Sequence, residues 1–381
     1  MFATLTPAAR AADPYEINVI LSVTGAQAFV GSTQMQALKA VEGYVNGAGG
    51  IGGRQIKFVV ADDQSDVKNA LLLAQGLIAK NVPIIMGSSS PQACAATAPL
   101  VAQSGPVLYC LANNGTPVVG GYEFLTLFPY DPQFAVTFRY FRDRGLKRVA
   151  YIASIDAGGQ EAERALLAAA HLPENKDIQI VAGEHFAPND VTAAAQMVHI
   201  KSTNPDALVA WATGTPAGTL MRSARDVGLD IPTVTSTGNL SANFFKNYGA
   251  ILPSTLYFAA VPYYAGNDAT TNAATKSAVA TMTGALAAVG AKPDMIQISA
   301  WDPALLVVDA LRKVGLDASA GKLRSYMNGL QGWTGVNGPY DFRANPQRGI
   351  GVNNIVMVRW DAQAGTGVAV SKLGGQPLPG K

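Results

Sequence analysis

Along most of the chain, segments with the hydrophobic pattern of a β-strand alternate with segments that have the pattern of an amphipathic helix. Short apolar runs of strand length recur between segments whose apolar residues are spaced three or four positions apart, as on one face of a helix. In the first third, strands are predicted at 17–23, 55–61, 82–86 and 106–110, and helices at 35–45, 67–80 and 92–103. This order of strands and helices predicts parallel sheets covered by helices on both faces.

The same alternation continues after residue 130. A helix carrying Phe134, Phe138 and Phe141 comes first. The later elements are strands at 148–153, 178–184, 207–212 and 233–236, helices near 271–289 and 300–314, and a strand at 353–360. The segments that begin at Asp66 and Asp190 share one order of elements at nearly the same spacing. We therefore predict an α/β fold with two doubly wound lobes, each built on a parallel central sheet.

The composition agrees with two globular lobes and excludes several classes of protein. A chain of 381 residues is long enough for two domains, and 49% of its residues are hydrophobic. Charged residues make up 14%, against about 25% in average proteins. With 28 Lys and Arg against 26 Asp and Glu, no basic surface for nucleic acid is expected. No run of apolar residues is long enough to predict a membrane span.

The cysteines and histidines do not predict a metal site. The two cysteines are Cys94 and Cys110, and the three histidines are scattered along the chain. An oxidising compartment would permit a disulfide between the cysteines, and two buried free thiols are the alternative. We expect no metal and no cofactor.

The first twelve residues do not resemble folded structure. Small residues at 9–12 precede Asp13 in the pattern that a signal peptidase cleaves, although the basic start and long apolar run of a full signal peptide are missing. We expect residues 1–12 to be the remnant of an export signal, or a disordered terminus.

Polar segments after three predicted strands are the best candidates for a ligand site. Segment 87–92 reads GSSSPQ, in which Ser90 suits a helix N-cap and Pro91 the first helical position. Backbone N–H groups, a helix dipole and hydroxyls could hold a carboxylate there without Arg or Lys, unless Ser90 only caps its helix. Segment 213–216, TGTP, repeats the arrangement. Segment 111–116, LANNGT, offers short polar side chains and is either a further ligand contact or a plain turn.

No motif indicates catalysis. Residues 47–52 satisfy G-x-G-x-x-G, but a predicted helix precedes them and a strand follows, the reverse of a dinucleotide site, so we interpret them as a helix end and turn. There is no G-x-S-x-G segment and no evident base for the serines. The pair Asp62 and Asp63 resembles a structural strand end. We expect no catalytic residue.

Six segments in order resemble the leucine/isoleucine/valine-binding family of solute-binding proteins of ABC importers. They are TG at 24–25, NGAGGIGG at 46–53, DDQS at 62–65, GSSS at 87–90, ARDVGL at 224–229 and GVNGPYDF at 335–342. The resemblance covers residues 14–362. It implies the type I periplasmic binding fold, with three hinge crossings and a ligand in the inter-lobe cleft. It also implies lobe I at 13–130 with 263–337, and lobe II at 131–262 with 338–381.

The resemblance also implies a set of pocket positions. The family's carboxylate-binding serine aligns with Pro91, so Ser90 or a neighbouring N–H must substitute, and Asn114 stands where a threonine is usual. Gly158 stands where a pocket tyrosine is usual. Thr237 stands where amino-acid binders place a glutamate for the ligand's ammonium group. The predicted ligand-binding residues are Phe29, Ser89, Ser90, Pro91, Tyr109, Ala112, Asn113, Asn114, Asp156, Gly158, Trp211, Thr213, Gly214, Thr237 and Tyr263.

These departures change the expected ligand. A buried ammonium group without a carboxylate partner costs several kcal/mol, so Thr237 disfavours an amino acid unless Asp156 or another acid substitutes. Aromatic residues, Trp301 among them, could pack on the ligand or belong to the core. We expect a periplasmic, monomeric protein that binds a small carboxylate, of phenyl-alkanoate, cinnamate or benzoate type, and passes it to the membrane permease of an ABC importer. The alternatives are binding of a branched-chain or other amino acid, the ligand-sensing domain of a receptor or regulator, and an α/β enzyme.

Overall fold

The computed structural model describes residues 13–112, 115–265 and 272–379. The predicted signal remnant at 1–12 and the predicted site residues Asn113 and Asn114 lie outside the described residues. Within the described ranges, no helix is both long and apolar enough to cross a membrane.

The helices and strands follow the predicted alternation. In chain order up to residue 143 they are β1 (Tyr15–Leu21), α1 (Ala28–Gly47), β2 (Ile56–Asp62), α2 (Val67–Ala79), β3 (Ile84–Met86), α3 (Pro91–Val101), β4 (Val107–Cys110), β5 (Glu123–Leu125) and α4 (Tyr130–Asp143). The later ones are β6 (Arg148–Ser154), α5 (Ala157–Ala170), β7 (Gln179–Phe186), α6 (Ala194–Ser202), β8 (Ala207–Trp211), α7 (Thr215–Asp226), β9 (Thr233–Thr235), α8 (Ala242–Tyr248), β10 (Leu256–Ala260), α9 (Ala273–Ala288), α10 (Met295–Val314), α11 (Ala320–Gly329), β11 (Gln331–Gly335), β12 (Gly338–Asp341), β13 (Val356–Asp361) and β14 (Thr366–Ala369).

The chain divides into two compact units made of discontinuous segments. Unit 1 comprises Met1–Thr126 with Met282–Leu330, and unit 2 comprises Leu127–Thr281 with Gln331–Lys381. The largest difference from the predicted lobe bounds concerns 263–281, which the prediction assigns to lobe I. This stretch follows β10, a strand of the unit 2 sheet, and the Tyr264 hydroxyl donates to the backbone oxygen of Leu240 in the same unit.

The sheet of unit 1 is entirely parallel, as predicted. Its strand order is β2-β1-β3-β4-β5. Strand β2 lies on one side of β1, and the next strand along the chain, β3, lies on the other side of β1. The direction in which successive strands are added to the sheet therefore reverses between β1 and β3. In open α/β sheets such a switch point, at the carboxyl ends of the strands, is where ligands bind.

Helix α1 lies directly over the end of β1. A Cβ atom at Gly31 would lie only 2.1 Å from the backbone oxygen of Ser22, so only glycine permits this approach. The other end of α1 confirms the interpretation of the glycine-rich segment as a helix end and turn. The helix ends at Gly47, and Gly49 and Gly50 have positive φ angles of 89° and 73°.

The sheet of unit 2 is parallel at its centre and antiparallel at one side. Its order is β14-β13-β10-β9-β8-β6-β7. Strands β6 to β10 pair in parallel, whereas β13 runs antiparallel to β10, and β14 antiparallel to β13. The prediction of parallel sheets is therefore confirmed for the strands that connect through helices. The order reverses between β6 and β8, which makes this the switch point of unit 2.

A disulfide joins Cys94 to Cys110, with 5.9 Å between their Cα atoms. The sequence left open whether these residues form a bridge or remain free thiols, and the structure shows the bridge. It connects the first turn of α3 to the last residue of β4. The segment that follows β3 is thus covalently linked to the end of β4.

Candidate ligand-binding site

The serine segment of unit 1 lies at its switch point. Ser89 follows β3, and its hydroxyl oxygen accepts a hydrogen bond (3.3 Å) from the backbone N–H of Ser22, which follows β1. Ser90 is the N-cap of α3, with its side chain accepting from the N–H of Ala93, and Pro91 is the first helical residue. Both local predictions for this helix start are confirmed.

The acidic pair Asp62 and Asp63, at the end of β2, supports this segment structurally, as predicted. The Ser88 hydroxyl donates to Asp63 over 2.6 Å in the buried interior. Asp62 accepts from the Thr24 hydroxyl (2.6 Å) and from the backbone N–H groups of Val23, Thr24 and Gln64. Partial burial acts to raise the pKa of Asp62, but these hydrogen bonds outweigh it, so the pKa lies below its ordinary value.

Several hydrogen-bond donors in and near the segment 87–92 have no acceptor among the described residues. The Ser22 hydroxyl is buried and has no hydrogen-bond partner in the described part of the chain. The Ser89 hydroxyl accepts from Ser22, and its own proton has no acceptor among the same residues. The N–H of Gln92 lies in the first turn of α3, where no intrahelical acceptor exists. Sequence reasoning missed Ser22, whose only signal is that it lies near the carboxyl end of a predicted apolar strand.

The other predicted residues of unit 1 have different surroundings. Phe29 is the second residue of α1 and is 58% exposed. Ala112 is buried just beyond the disulfide. Tyr109 is fully buried in β4 with its ring 6.0 Å from that of Phe124, and Trp301 is buried in α10, so both belong to the core of unit 1.

The predicted residues of unit 2 gather at the carboxyl ends of four neighbouring parallel strands. Asp156 and Gly158 follow β6, Thr213 follows β8, Thr237 follows β9, and Tyr263 follows β10. Asp156 is the N-cap of α5, with its Oδ1 atom accepting from the N–H of Gly159 over 2.8 Å. Within this unit, the structure brings together the segments that the sequence proposed.

The structure at the start of α7 differs from the predicted helix cap. We expected TGTP at 213–216 to repeat the serine-capped arrangement, but the cap residue is Gly214, with φ of 71° and no side-chain cap. Its N–H donates instead to the side chain of Asn239 (2.8 Å), and the Thr213 hydroxyl donates to Ser236 (3.1 Å). The positive φ angle favours glycine here, which explains why a threonine cannot take the capping position.

An aromatic group adjoins these residues. It contains Trp211, which was predicted, and Tyr130, which sequence reasoning missed. Trp211, the last residue of β8, is 5% exposed. Its ring lies edge-on to that of Tyr130 (5.4 Å between centroids) and against Phe134 (4.8 Å). Burial is the main cause that raises the pKa of Tyr130, with the nearby Asp156 and Glu161 carboxylates adding to it. The phenol is therefore neutral and can donate a hydrogen bond.

The described residues show no constellation for metal chemistry. No group of three or more histidine, cysteine, aspartate or glutamate side chains in these ranges could hold a metal ion. The arrangement in both units is one of hydroxyls, backbone donors and aromatic rings at strand ends, which suits the binding of a small organic molecule.

Comparison with known families agrees with this arrangement. A profile described as periplasmic binding protein matches residues 14–366. The chain belongs to the periplasmic binding protein family. The family identified from the sequence motifs is thus confirmed. Its members are binding proteins, not enzymes, and they act outside the cytoplasm. No curated protein matches the chain by sequence.

Solved structures share the fold across nearly the whole chain at low sequence identity. An extracellular ligand-binding receptor from Rhodopseudomonas palustris HaA2 has a TM-score of 0.79 and 22% identity, covering 94% of this chain and 99% of that chain. A putative branched-chain amino acid ABC transporter protein from Rhodospirillum rubrum has a TM-score of 0.74 and 18% identity, covering 94% and 100%.

A third structure, the branched-chain amino acid transporter substrate-binding protein LivJ from Streptococcus pneumoniae in complex with isoleucine, has a TM-score of 0.72 and 20% identity, covering 93% and 98%. These likenesses confirm the predicted fold class.

Proposed function

We propose that this chain is the periplasmic solute-binding component of an ABC uptake system, acting as a monomer that delivers its ligand to a membrane permease. The proposed ligand is a small carboxylate with an aromatic body, of phenyl-alkanoate, cinnamate or benzoate type. Family membership supports the binding role. The observation that carries the ligand class is the set of unused donors at the switch point of unit 1.

The serine segment has the chemistry of a carboxylate site. A carboxylate offers two oxygens that together accept several hydrogen bonds. The Ser22 and Ser89 hydroxyls and the first-turn N–H of Gln92 are donors of suitable kind, and α3 adds the positive end of its dipole. Ser90 keeps its capping role, so ligand binding would not have to disrupt the helix start.

Unit 2 supports an apolar, uncharged ligand body. Thr237 is neutral, and it occupies the position where the family's amino-acid binders carry a glutamate. Leaving a ligand ammonium group without a carboxylate partner costs several kcal/mol. The rings of Trp211 and Tyr130 supply an aromatic surface at the end of β8, which favours a flat hydrophobic group.

Asp156 supports a second candidate, an amino acid ligand. Its Oδ1 atom caps α5, whereas Oδ2 has no partner among the residues that the structure describes, and the side chain is exposed. This carboxylate could pair with an ammonium group in the role that Thr237 cannot fill. LivJ from Streptococcus pneumoniae, which shares the fold, was solved with isoleucine.

Thermal unfolding in the presence of ligands separates the two candidates. The variant Asp156→Asn removes the charge but keeps a side-chain oxygen that caps the helix, so the fold is retained. We expect cinnamate or 3-phenylpropionate to raise the Tm of wild type and variant alike, and leucine to raise neither. A leucine-dependent rise in wild type that the variant loses would establish the second candidate. Mass spectrometry should recover the bound acid unchanged, as expected for a binding protein.

A further inference from the structure

We infer that Tyr130 contacts the ligand and determines its specificity, donating a hydrogen bond to a hydroxyl substituent on the ligand's aromatic ring. The inference rests on the proposed function, because it requires that the chain binds an aromatic acid. It names a residue in a helix that carries none of the predicted pocket positions.

Tyr130 is placed at the switch point of unit 2 by its neighbours. It is the first residue of α4, and its ring packs edge-on (82°) against Trp211 at the end of β8. Phe134, one turn further along α4, contacts the same indole ring. Because Trp211 is buried and touches both residues, the direction of the Tyr130 ring is set by packing rather than by solvent.

The Tyr130 hydroxyl and the Asp156 carboxylate flank a space beside Gly158 that is wide enough for a methyl-sized group. If Gly158 carried a Cβ atom, its neighbours within 4 Å would be the Asp156 Oδ1 atom at 3.4 Å and the Tyr130 hydroxyl oxygen at 3.8 Å. Both are polar atoms that belong to the rim of the space. The glycine therefore leaves room between a phenol and a carboxylate, on the β6 side of the switch point.

The two polar atoms differ in what they can do. The Trp211 indole lies beside the Tyr130 ring and can only donate a hydrogen bond, so it cannot accept the phenol proton. This leaves the Tyr130 proton for another acceptor, and none is found among the described residues. Asp156, by contrast, only accepts, and its Oδ2 atom is unused in the same ranges.

A ligand hydroxyl satisfies both atoms at once. It accepts from Tyr130 and donates to Asp156, whereas an anionic group would be repelled by Asp156 and Glu161, the carboxylates that face the phenol. Arg348 also faces Tyr130 and donates to the backbone oxygen of Leu127. The pairing of one donor with one carboxylate thus favours a neutral hydroxyl, and the proposed ligand class becomes a hydroxylated aromatic acid.

The test is calorimetric titration of full-length protein with cinnamate and with the three isomers of hydroxycinnamate, which carry the hydroxyl group at ring position 2, 3 or 4. We expect at least one isomer to bind roughly 5- to 10-fold more tightly than cinnamate. Tyr130→Phe should abolish that preference, so that the hydroxylated acid binds no more tightly than cinnamate does to the same variant. Tyr140→Phe is the matched control, since Tyr140 lies in the same helix and its hydroxyl contacts that of Tyr257 at the start of β10.

A second variant keeps the test independent of any effect on folding. Gly158→Ala adds a methyl group at ordinary contact distances from Asp156 and Tyr130, so the fold should persist. The methyl occupies the space for the ligand hydroxyl, and affinity for the preferred isomer should fall at least tenfold. Equal affinity for cinnamate and every isomer, or a preference that survives in Tyr130→Phe, would overturn the inference and leave the proposed function standing. If none of the four acids binds, the proposed function itself fails.

Discussion

Reducing the Cys94–Cys110 disulfide is predicted to destabilise unit 1 without changing its fold. The two cysteines are 16 residues apart in the chain. Closing a loop of that length in the unfolded chain stabilises the folded state by about 3 kcal/mol at 25 °C. Both sulfur atoms are buried in a cluster with Ala112 and Leu125. Protein that is reduced but otherwise unaltered therefore keeps its packing and loses only the covalent link.

The assay is amide hydrogen exchange on oxidised and reduced protein, because it reports stability separately for each region. The slowest amides of β3 and β4 should exchange roughly 100-fold faster after reduction. The amides of β8 in unit 2 serve as the internal control and should keep their protection. The double variant Cys94→Ala/Cys110→Ala should reproduce the effect. Equal protection of β4 in oxidised and reduced protein would refute the loop-closure reasoning.

The start of α3 shows which features the sequence is able to predict. A serine followed by a proline after an apolar strand specifies a helix start through the chemistry of adjacent residues, and the structure has Ser90 as cap and Pro91 as first helical residue. The end of α1 at Gly47 is predictable for the same reason. Interactions between residues a few positions apart leave a pattern in the sequence that can be read directly.

Ser22 and Tyr130 show what that pattern lacks. Ser22 meets Ser89 from 67 residues away because β1 lies beside β3, and Tyr130 meets Trp211 across the end of another sheet. Periodicity predicts strands but does not state which strands are neighbours. The antiparallel pairing of β13 with β10 was missed for the same reason, since it depends on where a late segment joins the sheet.

Two further predictions concern the stability of unit 1. Because hydrogen bonds lower the folded-state pKa of Asp62, its stabilising effect should be complete at neutral pH and be lost as the pH falls through that pKa, below about 4. Urea unfolding should thus show wild type more stable than Asp62→Asn at pH 7 and the two converging in acid, and a constant difference would contradict the assignment. Gly87→Ala should destabilise the protein severely, since φ is 108° and the new Cβ would lie 1.9 Å from the backbone oxygen of Ile20. The control Gly76→Ala, in α2 with no atom within 4 Å of its Cβ, should stabilise by about 1 kcal/mol, and similar melting temperatures for the two variants would count against this reading.

The central claim is that the chain binds an aromatic carboxylate rather than an amino acid, because the neutral Thr237 cannot pair with a ligand's ammonium group. Calorimetric titration with 3-phenylpropionate and with phenylalanine tests it most directly, because the two ligands differ only in that group. The account predicts that 3-phenylpropionate binds at least roughly 100-fold more tightly, as an unpaired ammonium group costs several kcal/mol. Equal or tighter binding of phenylalanine would contradict it.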